Sequence, residues 1–250
     1  MPNNATSYTK VLMGMPVTVR IVGRAPRRSF EAVFDLFAAV DTQYSTYKPG
    51  SEVSRVNAGL AGDAWSEALR AVLALCEQTK QQTQGYFDVW HDGRLDPSGL
   101  VKGWAIQRAA ELLRRRGHED FYIDAGGDIQ TSGHNAAGEP WRVGVRNPFS
   151  RDEIVKVLYL SGEGVATSGA SIRGDHIYNP LTPGTAPRAL ASITVVGPNI
   201  YEADRFATAA YAMGQRGAAF VDALDGLEAY AIDRHGMATL TSGLARYIAV

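Results

Sequence analysis

The chain has 250 residues, 45% of them hydrophobic and 20% charged, enough to bury the core of one large domain or two small ones. Lys+Arg 25 against Asp+Glu 26 leaves a formal net charge of -1. That balance excludes a general nucleic-acid coat and a polybasic membrane-surface protein, whose affinity comes from excess positive charge.

The single cysteine, Cys76, excludes an intramolecular disulfide and any cysteine-built metal site, and it lies among apolar-periodic neighbours as a small core hydrophobe. Met1 to Lys10 is polar and has no apolar signal core, and no run approaches the roughly 18 apolar residues of a membrane span. The expectation is a soluble, cytoplasmic chain.

In chain order, Val17, Val19 and Ile21 alternate with Thr18 and Arg20 as a half-buried strand. Ser29 reads as the N-cap of a helix whose inner face is Phe30, Val33, Phe34, Phe37 and Val40. Ser66 reads as the cap of a second helix through Leu69, Val72, Leu73 and Cys76 to about Thr83. A third runs from Gly103 to Arg116, its basic end complementing the helix dipole ahead of Gly117.

From Phe121 onward strands dominate: Phe121–Asp124, Trp141–Val145, Val155–Leu160, Gly164–Thr167 and Ala191–Val196. A helix from Glu202 to Met213, a shorter one over Ala218–Leu224 and a closing strand pair, Ala229–Ile232 and Met237–Leu240, complete the chain. Hairpin-length strands with helices grouped between them predict an α+β fold with mostly antiparallel sheets, and without a Pro- or Ser-rich linker residues 1–250 read as one unit.

The common catalytic templates are absent: no zincin histidine pair, no P-loop, no Gly-x-Ser-x-Gly elbow. Four polar clusters remain. In Asp96-Pro97-Ser98-Gly99-Leu100-Val101-Lys102-Gly103, a carboxylate, a turn and a lysine precede a helix, which suits either a phosphate on free amides or plain capping by Asp96 or Ser98. Asp204 and Thr208, four apart on one helix face, offer hard oxygens to Mg²⁺, or else an acid on the helix dipole and a hydroxyl bonded back to a carbonyl. Thr167-Ser168-Gly169 and His176 to Pro180 combine close backbone approach with a base that titrates near neutrality. Tyr44 to Glu52 and Gly85-Tyr86-Phe87-Asp88 place aromatics at turns, for stacking on a planar ring or for filling core.

Taken in order, these segments resemble the ApbE family, the FAD:protein FMN transferases. The match runs from Met13-Gly14 through Ser45-Thr46-Tyr47 and Ser51-Glu52 to Gly85-Tyr86-Phe87-Asp88. It continues through Asp96 to Gly103, Gly126-Gly127-Asp128, Thr167-Ser168-Gly169, His176-Ile177-Tyr178-Asn179-Pro180 and Ala203-Asp204-x-x-Ala207-Thr208.

The resemblance implies an α+β, T-fold-like architecture binding FAD in a cleft, and transfer of FMN from FAD to a Ser or Thr of an acceptor protein with release of AMP. It implies Mg²⁺ on Asp204, Thr208 and the main-chain oxygen of Gly99. FAD contacts carry over to Met13, Tyr47, Tyr86, Phe87, Asp88, Asp96, Lys102 and the Tyr178 backbone, and His176 corresponds to a histidine that assists proton removal. The acceptor motif of the family is Asp-x-x-Ser/Thr-Gly-Ala-Thr/Ser. The alternatives are hydrolysis of FAD to FMN and AMP, and flavin binding without catalysis.

Departures are specific. Seven residues, Val89 to Leu95, stand where typical members have a longer insertion; Asn179 replaces an aspartate of the His-Ile-x-Asp-Pro motif, and Gln107 another aspartate. The signal or lipoprotein cysteine of many members is also absent from the sequence.

Overall fold

The structure is a computed structural model and describes residues 4–170, 177–182, 184 and 187–248. Twelve strands are described: β1 (Ala5–Leu12), β2 (Met15–Val22), β3 (Trp90–His91), β4 (Arg94–Leu95), β5 (Phe121–Ala125), β6 (Asp128–Ser132), β7 (Trp141–Asn147), β8 (Ser150–Leu160), β9 (Gly164–Gly169), β10 (Leu190–Gly197), β11 (Glu228–Asp233) and β12 (Ala238–Leu240). The α-helices are α1 (Arg27–Tyr44), α2 (Glu52–Asn57), α3 (Glu67–Gln82), α4 (Ser98–Arg115), α5 (Ile200–Met213) and α6 (Gly217–Asp222).

Eight strands form one sheet in the order β1-β2-β5-β6-β9-β10-β11-β12, every neighbouring pair antiparallel, as the strand pattern predicts. Side-chain alternation shows what covers each face. On β10, Ile193 and Val195 join the large core under α1, α3, α4 and α5, while Val196 turns to the other face. There the β7–β8 hairpin closes a smaller core with Val143, Val145, Leu158, Leu160, Tyr230 and Ile232. Because both faces are covered, β10 is buried almost throughout, whereas edge strand β1 is largely exposed.

The helices follow their apolar stripes, with two corrections at their starts. Ser66 caps α3 as expected, accepting from the Leu69 N–H at 3.1 Å. Ser29 does not cap α1: the helix starts at Arg27, and Ser29 is a buried helical residue whose Oγ meets His118 Nε2 at 2.8 Å. Likewise α4 begins at Ser98, not Gly103, so Lys102 lies in its second turn rather than before it. Glycine is a poor helix former in isolation, but here tertiary contact overrides propensity. A Cβ on Gly103 would stand 2.6 Å from Asp204 Cβ and 2.9 Å from the Ile200 carbonyl, so its absence lets α4 and α5 cross in contact.

At the far end of α4 the helix stops at Gly117, as expected. Gly117 takes φ +82, with Gly117 N–H on Arg114 O at 2.9 Å and His118 N–H on Leu113 O at 3.1 Å, a Schellman stop.

Strand β6 has no counterpart in the hydrophobic pattern because its buried residues are polar. Asp128, Gln130, Thr131 and Ser132 are all buried. Gln130 alone donates to Gly162 O at 2.7 Å and accepts the Ile200 N–H at 2.7 Å, stitching the start of α5 to the sheet. Such burial is stable because the polar groups find partners.

Candidate active site

The start of α5 is held tightly. Asn199 caps it through the Glu202 N–H at 3.0 Å, and Gly164 of β9 permits backbone contact with Ile200 that no side chain would allow. This fixes the second turn of α5 over β6 and β9 and directs Asp204 toward α4. Asp204 is 3% exposed, and its Oδ2 accepts the Gly103 N–H at 2.7 Å. In an uninterrupted helix that N–H points to the carbonyl four residues earlier, which is that of Gly99.

One turn further, Thr208 faces Gly99 directly. A Cβ on Gly99 would lie 3.3 Å from Thr208 Cγ2, 3.7 Å from its Oγ1 and 3.2 Å from the Phe87 ring. A carboxylate, a hydroxyl and a main-chain carbonyl thus share one corner. Lys102 completes it, forming an ion pair with Asp128 Oδ2 and standing 3.5 Å from Asp204 Oδ1. Asp128 is oriented by the Thr167 N–H on its Oδ1 at 3.1 Å. Burial holds the Asp204 carboxyl above its ordinary pKa; Lys102 opposes that rise, Asp128 adds to it and the Gly103 N–H opposes it.

The corner opens into a cleft whose walls are both polar and apolar. Of the residues singled out in the sequence, Tyr86, Phe87, Asp88, Asp96, Gly99, Lys102, Tyr178, Asp204 and Thr208 line it. Several walls are tied together. Asp88 pairs with Lys80 at 2.7 Å and accepts the Trp90 N–H at 3.0 Å, while its carbonyl receives the Tyr178 hydroxyl. Burial raises the Tyr178 pKa, with Asp88 and Asp96 adding to it, so the phenol stays a donor. The Tyr178 ring stacks on His91 of the short β3–β4 hairpin at 3.9 Å and 20°. The N-cap position of α4 is Pro97, without a side-chain cap bond; Asp96, one residue before it, accepts the Ser98 N–H on Oδ1 at 2.9 Å.

Met13 and Tyr47 stand outside this lining. Met13 sits at φ +52 in the β1–β2 turn, partly buried against the core, and Tyr47 is 93% exposed after α1. His176 lies outside the described residues. The lining also includes Asp128, whose pairing with Lys102 no sequence pattern announces. The one local signal is the Gly126-Gly127 pair, a two-residue turn with φ +66 and +99, which puts an aspartate first on the returning strand.

The chemistry of the donors suits Mg²⁺, which takes hard oxygens and keeps places for phosphate and water. Among the described residues no group of three or more His, Cys, Asp or Glu is placed to cage a metal.

The model of the ApbE family matches residues 13–92 and 89–231. The chain belongs to the ApbE family. FAD:protein FMN transferase from Salmonella typhimurium is 30% identical over 151 residues, 57% of this chain and 43% of that protein. This ApbE chain thus spans under half the length of that curated relative. The protein of the same description from Vibrio cholerae is 24% identical over 283 residues, 89% of this chain and 83% of that one.

Among solved structures, flavin transferase ApbE from Vibrio cholerae superposes with a TM-score of 0.88 at 21% identity, covering 99% of this chain and 100% of that one. The apo flavinyl transferase ApbE from Pseudomonas stutzeri gives 0.85 at 22%, covering 100% and 99%. The α+β ApbE fold is thereby shared across the chain. Among the described residues no helix is long and apolar enough to cross a membrane.

Proposed function

We propose that this chain, acting as one unit, is a Mg²⁺-dependent transferase that moves FMN from FAD to a Ser or Thr hydroxyl of an acceptor protein, releasing AMP. The observation carrying this reading is the corner where Asp204 and Thr208 of α5 meet Gly99 of α4, with Lys102 beside them at the floor of the cleft. Curated relatives bear the name of that activity.

Mg²⁺ held by Asp204, Thr208 and the Gly99 carbonyl would supply Lewis-acid polarisation of the diphosphate. Lys102 adds positive charge to the phosphate oxygens, and Asp128 keeps its ammonium in the cleft. Tyr86, Phe87 and Tyr178 pack the flavin-bearing half, and the tied Asp88 turn keeps that wall in place. The acceptor oxygen attacks the FMN-side phosphorus, its P–O bond forms as the bond to the AMP phosphate breaks, and the hydroxyl proton passes to His176. No electrons change hands, and the flavin is cargo.

The test is incubation with FAD, Mg²⁺ and a peptide carrying Asp-x-x-Ser/Thr-Gly-Ala-Thr/Ser, followed by mass spectrometry. A peptide bearing FMN with an equal yield of AMP supports transfer. Free FMN and AMP with an unmodified peptide would make water the acceptor, and intact FAD would make the chain a flavin binder only.

A further inference from the structure

Two carboxylates, Asp128 and Asp204, are nearly inaccessible at the floor of the cleft, and among the described residues the Lys102 ammonium stands near both. The pair comes from separate parts of the fold, Asp128 from the start of β6 and Asp204 from α5. Lys102 reaches them from the second turn of α4, and its side chain, 17% exposed, lines the cleft. The geometry is asymmetric. Asp204 Oδ2 is taken by the Gly103 N–H, and the remaining oxygen, Oδ1, is the one that Lys102 approaches at 3.5 Å. That same oxygen is the carboxylate donor left for a cation shared with Thr208 and Gly99.

We propose that Lys102 is a resident counter-ion that competes with the divalent cation for Asp204, and that a bound diphosphate relieves the competition. Metal and dinucleotide then bind with positive coupling, each strengthening the other. This rests on the reading of Asp204 and Thr208 as metal ligands.

The physical reason is charge balance in a poorly solvated corner. With both carboxylates ionised and Lys102 charged, the group carries one net negative charge. A divalent ion arriving alone leaves the corner net positive, with two cations a few ångströms apart and little water to screen them. A diphosphate arriving with the ion restores the balance and offers oxygens to Lys102, whose four-carbon stem lets the ammonium swing while Asp128 remains its anchor. Linkage makes the effect reciprocal: whatever factor FAD adds to metal affinity, the metal adds to FAD affinity. An ammonium that served only to grip phosphate would leave metal affinity without FAD nearly unchanged on removal.

The experiment is titration of Mn²⁺, followed by its electron paramagnetic resonance signal, into the flavin-free chain and then into the chain saturated with FAD. For Lys102→Met, affinity without FAD should rise about ten-fold or more, and the gain on adding FAD should shrink relative to wild type. Unchanged or weaker Mn²⁺ binding by Lys102→Met without FAD, or an undiminished gain with FAD, overturns the proposal. Circular dichroism reports whether Lys102→Met folds. If it does not, Asp128→Asn decides, because Lys102 released from Asp128 turns more fully to Asp204 and Mn²⁺ binding without FAD must weaken. Affinity equal to or above wild type in that variant overturns the proposal. Asp204→Asn separates the two levels: retained Mn²⁺ binding there removes the metal reading itself, whereas its loss alongside an unimproved Lys102→Met removes only the competition.

Discussion

Gly103 and Asp204 meet where α4 and α5 cross, and each constrains the other. Replacing Gly103 by Ala would put a Cβ within 3 Å of Asp204 and of the Ile200 carbonyl, backbone that cannot swing aside. The overpacking outweighs the helix propensity that Ala brings, and Gly103→Ala should lose about 1–3 kcal/mol in urea denaturation. A variant as stable as wild type would mean that the helices do not cross this closely. Asp204→Asn behaves differently. Its charge is disfavoured by burial, so a neutral isostere should leave the melting temperature near that of wild type or above it. AMP release from FAD should nonetheless fall roughly 10²-fold or more, because the carboxylate donor is gone. Cys76, by contrast, is spectator chemistry: burial, aided by Asp88, pushes its thiol up to about 12.

Elements are joined by a few buried polar ties. Arg205 of α5 reaches α3 through Thr79 Oγ1 at 3.1 Å and Gln82 Oε1 at 2.5 Å, and pairs with Glu202 at 2.5 Å. It sits beside Asp204 in sequence, about 100° further round the helix, and faces α3 rather than α4, and no periodicity marks it. Ser29 of α1 and His118 after α4 form another tie. Burial, then the Arg116 charge, lowers the His118 pKa below its ordinary value. The neutral ring is therefore favoured in the folded state, so its contribution is complete above the unfolded value of about 6.5 and is lost as pH falls through the folded one. Melting temperatures measured across that range should drop toward acid more steeply in wild type than in His118→Gln. Parallel profiles would assign the loss to other groups. At this scale Ser66 was legible and Ser29 was not. A capping serine is recognised by the helical residues just after it, while burial at helix position three depends on a histidine far along the chain.

Across the whole molecule, the cleft gathers residues from the Tyr86–Asp88 turn, α4, β6, β9, the Tyr178 segment and α5. A ligand bridging so many elements stabilises the folded chain as a unit. At a hundred-fold excess over its dissociation constant, FAD with Mg²⁺ should add about 2.7 kcal/mol, a rise in melting temperature of roughly 5–10 °C. FAD without Mg²⁺ should give a clearly smaller rise; equal rises would detach the metal from the site.

Read alone, the sequence determined the amphipathic faces of α1 and α3, the inward residues of β2, and the motifs that mark the ApbE family. All of these are written in spacing over a turn or two. Only the tertiary structure decided that α4 runs unbroken through Gly99 and Gly103, that polar β6 lies inside the sheet, and that Lys102 stands between Asp128 and Asp204. Those outcomes depend on contacts between residues 26 to 102 positions apart. Their stability comes from partners that local pattern does not contain: a crossing helix where a glycine would otherwise break one, and a buried ammonium where two carboxylates would otherwise repel.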